Sequence, residues 1–160
     1  MKVKQHIDTF LEWVLVVLLA AMVLDVVWGV ITRYLLESQS SWTDELARFL
    51  LVWLSILGAA YASGKKLHIA IDLWPQNLDP KKQNYLNFIV HLVVLLFVVS
   101  VFLIGGLRYV YISFELGQTS PALQLPIGFV NMVLPISGVF ILYYKLSELF
   151  ALLKNMKNGN

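Results

Sequence analysis

The sequence contains no cysteine. Disulfides, thiolate metal sites and cysteine redox chemistry are therefore excluded, and the redox character of the compartment is left open. Charge is scarce too. Charged residues make up 14% of the 160 positions, where a soluble domain carries about 25%. The net charge is only +2, too small to draw a nucleic-acid partner, and none is expected. The three histidines, His6, His68 and His91, are scattered without metal-ligand spacing, so no metal is expected. No phosphate-cradling glycine loop and no nucleophile elbow occurs. The chain lacks the parts of an enzyme; no catalytic residue and no cofactor are expected.

What the chain has in abundance is apolar side chain, 59% of all residues. That share cannot be hidden in the core of a domain this small, so the expectation is an all-α integral membrane protein. Crossing the hydrocarbon takes about 20 largely apolar residues in a helix. Four stretches qualify, at 10–36, 46–63, 86–110 and 127–153. They define one four-helix membrane domain over residues 1–160. The first stretch is too long for a cleaved signal peptide and lacks a small-residue cleavage site, so it reads as a retained anchor. The segments differ in length and in the placement of their polar residues, which argues against an internal repeat.

Basic residues outside the apolar cores orient the spans. Lys2 and Lys4 precede the first, Lys65, Lys66, Lys81 and Lys82 join the second to the third, and Lys154 and Lys157 follow the fourth. The other side has Arg33 and Arg108, with Arg48 just inside the second span. Eight against three places both termini in the cytoplasm. In a bacterium the loops at 35–44 and 111–126 then face the periplasm. The cytoplasmic connection, "LHIAIDLWPQNLDPKK", carries His68 and Asp72 one helical turn apart and a Trp74–Pro75 pair. It fits either a short interfacial segment anchored by Trp74 or a solvated loop.

The second span opens with "SSWTDELARFLLVW". Asp44 and Glu45 stand in the first turn, where the helix dipole favours negative charge, and Ser41 or Thr43 can cap it. Both acids can also reach Arg48 along the helix. Capping with a local ion pair near the headgroups is the simpler reading. The sharper one has Arg48 reaching a partner chain or a lipid phosphate. Ser55, Ala59 and Ser63, with Gly58 and Ala62, make small-residue stripes that allow close helix approach. Arg48, Ser55, Ala59 and Ala62 share one face, which is expected to meet protein. Trp42 and Trp53 are read as marking the interface and the lipid-facing surface.

Asp25, near the middle of the first span, is the most costly residue, because an ionised carboxylate there must be paired, solvated or protonated. It reads as a structural carboxylate at a helix contact or, as the alternative, as the coupling site of a small self-sufficient proton- or cation-coupled transporter. His91 reads as a helix-contact histidine. Gly128, Asn131, Pro135 and Gly138 punctuate the fourth span, where the proline is expected to kink the helix.

The stretch "SWTDELARFLLVWLSILGAAYASGKKLHIAID", followed by "TSPALQLPIGFVNMVLPISG", resembles the small membrane subunit (DctQ type) of tripartite ATP-independent periplasmic (TRAP) transporters. The likeness extends over the whole chain and rests on Trp42, Glu45, Arg48, Trp53, Gly58, Ala59, His68 and Asp72, then on Ser120, Pro126 and Pro135. The resemblance implies an inner-membrane subunit paired with a much larger one, with substrate delivered by a periplasmic binding protein. It implies sodium-driven import of organic acids such as C4-dicarboxylates or sialic acids. The large subunit then holds the substrate and ion sites and moves like an elevator, while the small one braces the stationary scaffold. Contact with the large subunit or with phospholipid is expected at Trp42, Asp44, Glu45, Arg48, Ser55, Gly58, Ala59 and Ala62. Asp25 and His91 are expected to be buried. Glu115, Gln118 and Ser120 are expected in a loop that docks the binding protein. A membrane adaptor without transport is a third, weaker reading of the same residues.

Overall fold

The computed structural model describes residues 2–36, 40–65 and 80–158. His68, Asp72 and the Trp74–Pro75 pair lie outside the described residues. Long apolar runs in which only helices satisfy every backbone group form four helical rods. The first is α1, Lys2–Tyr34; the second is α2, Thr43–Gly64. The third begins as α3, Pro80–Phe97, passes through a π-helical segment, Val98–Gly105, and ends as α4, Gly106–Glu115. The fourth is α5, Ile127–Asn131, followed by α6, Val133–Asn158. Four segments within them, Lys4–Tyr34, Thr43–Gly64, Tyr85–Glu115 and Ile127–Lys154, are long and apolar enough to cross a membrane.

The rods form a row rather than a closed bundle. α1 packs on α2, α2 on α6, and α6 on the third rod. A seam at heptad-like spacing, with Leu11, Asp25 and Thr32 buried and Leu15 and Leu18 half-buried, faces α1 toward its neighbours. Leu11, Leu57, Val133 and Tyr144 form one small core. Ala60, Val98 and Ile141 form a second where α2, the π-helical segment and α6 meet. The outward faces stay apolar: Trp13, Leu24 and Leu96 are 67%, 71% and 67% exposed. Such surface is stable only against lipid tails or another protein.

The third and fourth rods cross closely because glycines face each other's neighbours. A Cβ on Gly138 would stand 2.9 Å from Phe102 Cβ, and one on Gly106 3.1 Å from Leu134 Cβ. Ser100 donates to the carbonyls of Leu96 and Phe97, at 2.7 and 3.2 Å, where the helix widens to the π form. The fourth rod is interrupted at Met132, between α5 and α6. Pro135 is three residues on; it has no N–H to offer the Asn131 carbonyl, so the expected break falls upstream of the proline itself.

Trp53 does not mark a lipid-facing surface. It is half-buried and packs on the first core, because its position on α2 turns toward α1 and α6. Neither Ser41 nor Thr43 caps α2. Trp42 holds the cap position without a side-chain bond, and the Thr43 hydroxyl donates back to the Ser40 carbonyl at 2.9 Å.

Candidate functional site: a partner-facing helix and its buried polar anchors

At the end of the row that carries the loops, the two acids of α2 are both committed, but not to Arg48. Glu45 reaches across to the loop before α5. Its Oε2 accepts the N–H groups of Ala122 and Leu123, each at 2.9 Å. Asp44 lies 3.7 Å from Arg33 at the end of α1. The expected Asp44–Arg48 and Glu45–Arg48 pairs do not form, because the backbone amides and Arg33 compete for the same carboxylates from fixed positions. Arg48 is left exposed beside a shallow basin of about 480 Å³ that Ser41, Asp44, Pro121 and Ala122 help to line.

The loop held by Glu45 is internally braced. Ser120 N–H donates to the Leu125 carbonyl at 2.9 Å, and Ile127 N–H to the Gln118 carbonyl at 2.9 Å. The chain turns at Gly117 (φ +58°), a left-handed conformation that glycine adopts without cost. Gln124 takes φ +55° at the tip, and its side-chain amide donates to the Pro121 carbonyl at 2.9 Å. Glu115 and Gln118 are exposed. Ser120 is not: it is 1% exposed and its hydroxyl accepts the Leu125 N–H at 3.2 Å. It shapes the loop from inside and offers no contact surface.

Further down α2, Arg48, Ser55 and Ala59 lie on one exposed face, with Ala62 half-buried at its margin. The opposite side is buried, with Leu57, Ala60 and Gly64, and Ser63 is buried nearer the exposed face, beside Ala59. Gly58 belongs to neither stripe; its Cα faces Leu15 of α1. Thus Arg48, Ser55, Ala59 and Ala62 do share a face: Arg48 and Ser55 are exposed on it, while Ala59 also borders a cleft toward the third rod and α6 and Ala62 is half-buried.

Asp25 is 6% exposed, and neither of its carboxylate oxygens has a hydrogen-bond partner among the described residues. One turn on, Gly29 brings α1 against the Thr43 hydroxyl, which is already spent on Ser40.

His91 joins a cluster that sequence reasoning missed. Its Nε2 lies 3.2 Å from Glu148 Oε2 and its Nδ1 2.7 Å from the Asn87 carbonyl oxygen. Lys145 donates to the same Glu148 oxygen at 2.9 Å. Close by, Tyr144 donates to Asp8 at 2.6 Å, and Lys65 stands 3.7 Å from Asp8, tying α1, α2 and α6 together. The signal was present in the sequence: a Lys and a Glu three residues apart inside an apolar run are costly unless paired. Their partners, on other helices, were not visible there.

These features define a class before they define a family: a multi-span helical membrane protein with broad helix-contact surface and no convergent catalytic constellation among its described residues. The chain matches the family described as "Tripartite ATP-independent periplasmic transporters, DctQ component" over residues 22–155, and it belongs to that family. It is therefore the small membrane subunit of a transporter that works with a periplasmic binding protein, not an enzyme, and it resides in the inner membrane. It is 27% identical over 151 residues to the sialic acid TRAP transporter small permease protein SiaQ of Vibrio cholerae, covering 94% of this chain and 86% of that protein. It is 28% identical over 109 residues to the C4-dicarboxylate TRAP transporter small permease protein DctQ of Rhodobacter capsulatus, covering 68% and 48%. It is 34% identical over 96 residues to the isethionate TRAP transporter permease protein DctMQ of Oleidesulfovibrio alaskensis, covering 60% of this chain but 15% of that far longer protein.

Proposed function

We propose that this chain is the static brace of a sodium-coupled importer of organic acids, one four-helix domain with both termini in the cytoplasm. The α2 face of Arg48, Ser55, Ala59 and Ala62 meets the large membrane subunit. The observation that carries this reading is the direction of that face: Ser55 and Ala59 are exposed under a guanidinium with no ion pair among the described residues, while Leu57, Ala60 and Gly64 turn to the chain's own core. Small residues let a partner helix approach closely, and a guanidinium fork suits a partner carbonyl, a carboxylate or a phospholipid phosphate. The match to a short part of a much longer permease protein supports the same pairing. Sialic acid and C4-dicarboxylates, named for two of the relatives, are the substrate classes we carry over. The braced loop at 118–127, anchored by Glu45, docks the binding protein together with the large subunit, through Glu115 and Gln118.

Co-purification of the large subunit tests the brace. Arg48→Lys should weaken recovery in part and Arg48→Ala more, with the substrate concentration for half-maximal uptake unchanged in the complex that survives. Normal assembly with a large rise in that concentration would move Arg48 into the substrate path and refute the reading. Cysteine placed at Gln118 should label from outside intact cells; labelling only after permeabilisation overturns the orientation and the docking together. A second reading, a self-sufficient transporter coupled through Asp25, draws on the burial of that carboxylate without a hydrogen-bond partner among the described residues. Saturable solute uptake by the chain reconstituted alone would favour it.

A further inference from the structure

The third rod and α6 are fastened to each other at two levels. One is the glycine crossing, where Gly138 meets Phe102 and Gly106 meets Leu134. The other is the cluster of His91, Lys145 and Glu148, about 16 Å along the rod from Phe102 at 1.5 Å per residue. Beside that cluster the two rods and the flank of α2 leave a cleft of about 590 Å³, lined by Asn87, Val94, Val98 and Ile141 among others. Apolar packing at this end is therefore incomplete, and the cluster bridges the gap. Its side chains are well covered, with His91 18%, Glu148 14% and Lys145 11% exposed.

The hydrogen-bond geometry fixes the protons of the ring. Nδ1 of His91 lies 2.7 Å from the Asn87 carbonyl oxygen, which can only accept. Nε2 lies 3.2 Å from Glu148 Oε2, and Lys145 donates to that same oxygen at 2.9 Å, so it too acts as an acceptor. A neutral imidazole has one donor nitrogen and one acceptor; two acceptors around one ring call for the imidazolium, which donates from both. Take one proton away and a lone pair of the ring must face a lone pair of its neighbour. The Asn87 contact is the shorter and lies within α3, so it keeps the remaining proton. The contact that is lost is the one between the rods.

We infer that His91 is a proton-operated latch. Charged, it holds the start of the third rod to α6; once it gives up the second proton, that end of the rod parts from α6 and pivots about the glycine crossing. The groups around the ring pull both ways. From α6 come Glu148, which favours the charge, and Lys145, which opposes it. Lys4 of α1 and Tyr144 of α6 line the same cleft, and Lys4 also opposes it. The flank of α2 presents Ala59 and Ser63, neither of which titrates. The direct contacts on both ring nitrogens outweigh the two lysines. Closure binds a proton, so low pH favours it and rising pH releases it. The latch requires neither the brace nor a particular orientation of the chain in the membrane.

The test uses the full chain in nanodiscs, where both sides of the bilayer meet the same buffer. Nitrogen-15 spectra of the histidine rings, with the His91 signals assigned by their loss in His91→Gln, should show both His91 nitrogens protonated at pH 7. An unperturbed imidazole, titrating at about 6.5, is mostly neutral there. Because the chain has no cysteine of its own, spin labels attached through Tyr85→Cys and Leu153→Cys, both at exposed positions, read the distance between the third rod and α6. Raising the pH from about 6 to about 9.5, below the lysine range at about 10.4, should shrink the short-distance population about tenfold, the low end of what a hydrogen bond to a charged group supplies. His91→Gln, with helical content checked by circular dichroism, should lose that response. A neutral His91 ring at pH 7, a distance in the parent that does not change with pH, or a pH response that survives in His91→Gln would each overturn the latch.

Discussion

Removing the Glu45 carboxylate should loosen the loop at 118–127 without unfolding the chain. One oxygen of Glu45 accepts two backbone amides, from Ala122 and Leu123, each at 2.9 Å. A hydrogen bond to a charged acceptor contributes about 1.5–3 kcal/mol in a buried setting. Here the amides lie at an exposed loop and water can replace the carboxylate, so the pair together is worth about 2 kcal/mol rather than twice the buried value. The loop keeps its internal bonds, Ser120 to Leu125 and Ile127 to Gln118, and so keeps its shape while losing its tether to α2. In Glu45→Ala the amides of Ala122 and Leu123 should then exchange hydrogen about 30-fold faster, since 1.36 kcal/mol is a factor of ten. Glu45→Gln retains an acceptor without the charge and should fall between the two. Hydrogen exchange with peptide-level mass analysis reads this directly. Uptake assays should show a higher requirement for loaded binding protein and unchanged co-purification of the large subunit. Unaltered exchange at both amides in Glu45→Ala would refute the tether, and lost assembly would refute the assignment of this loop to docking.

Gly64→Ala would place a Cβ 2.5 Å from Tyr144 Cζ and 2.8 Å from both Cε atoms, so it should cost about 1–3 kcal/mol of stability through overpacking; thermal unfolding in detergent measures it, and an unchanged midpoint sinks the argument. Gly138→Ala should part α6 from the π-helical segment, where its Cβ would meet Phe102 Cβ at 2.9 Å. A cysteine pair engineered across that crossing should form its disulfide more slowly in the variant than in its glycine parent, and an equal rate would contradict the close crossing. Asp25→Asn should assemble normally and keep most transport, because neither carboxylate oxygen has a partner to lose among the described residues; complete loss of uptake with normal assembly would instead make Asp25 a coupling group.

Much of the architecture was legible in the chain itself. Helices that must satisfy their own backbone in lipid announce themselves by apolar length alone, and four such stretches were enough to define an all-α membrane protein. Asp25 was recognisable as buried, because a carboxylate within a span is too costly to leave facing lipid, and the common face of Arg48, Ser55, Ala59 and Ala62 follows from the helical period. What the period could not say is which way that face turns. Only the packing of α2 against α1 and α6 on its other side showed it pointing outward. The partners of charged residues were equally out of reach. Asp44 and Glu45 are near enough to Arg48 along the helix for a pair, but Arg33 and two loop amides, from segments distant in sequence, hold those carboxylates instead. The same holds for His91 and Glu148, 57 residues apart in the chain and 3.2 Å apart in space. Local sequence sets periodicity and burial cost; a contact between helices depends on the rotation and depth of both, which only the assembled row of helices decides.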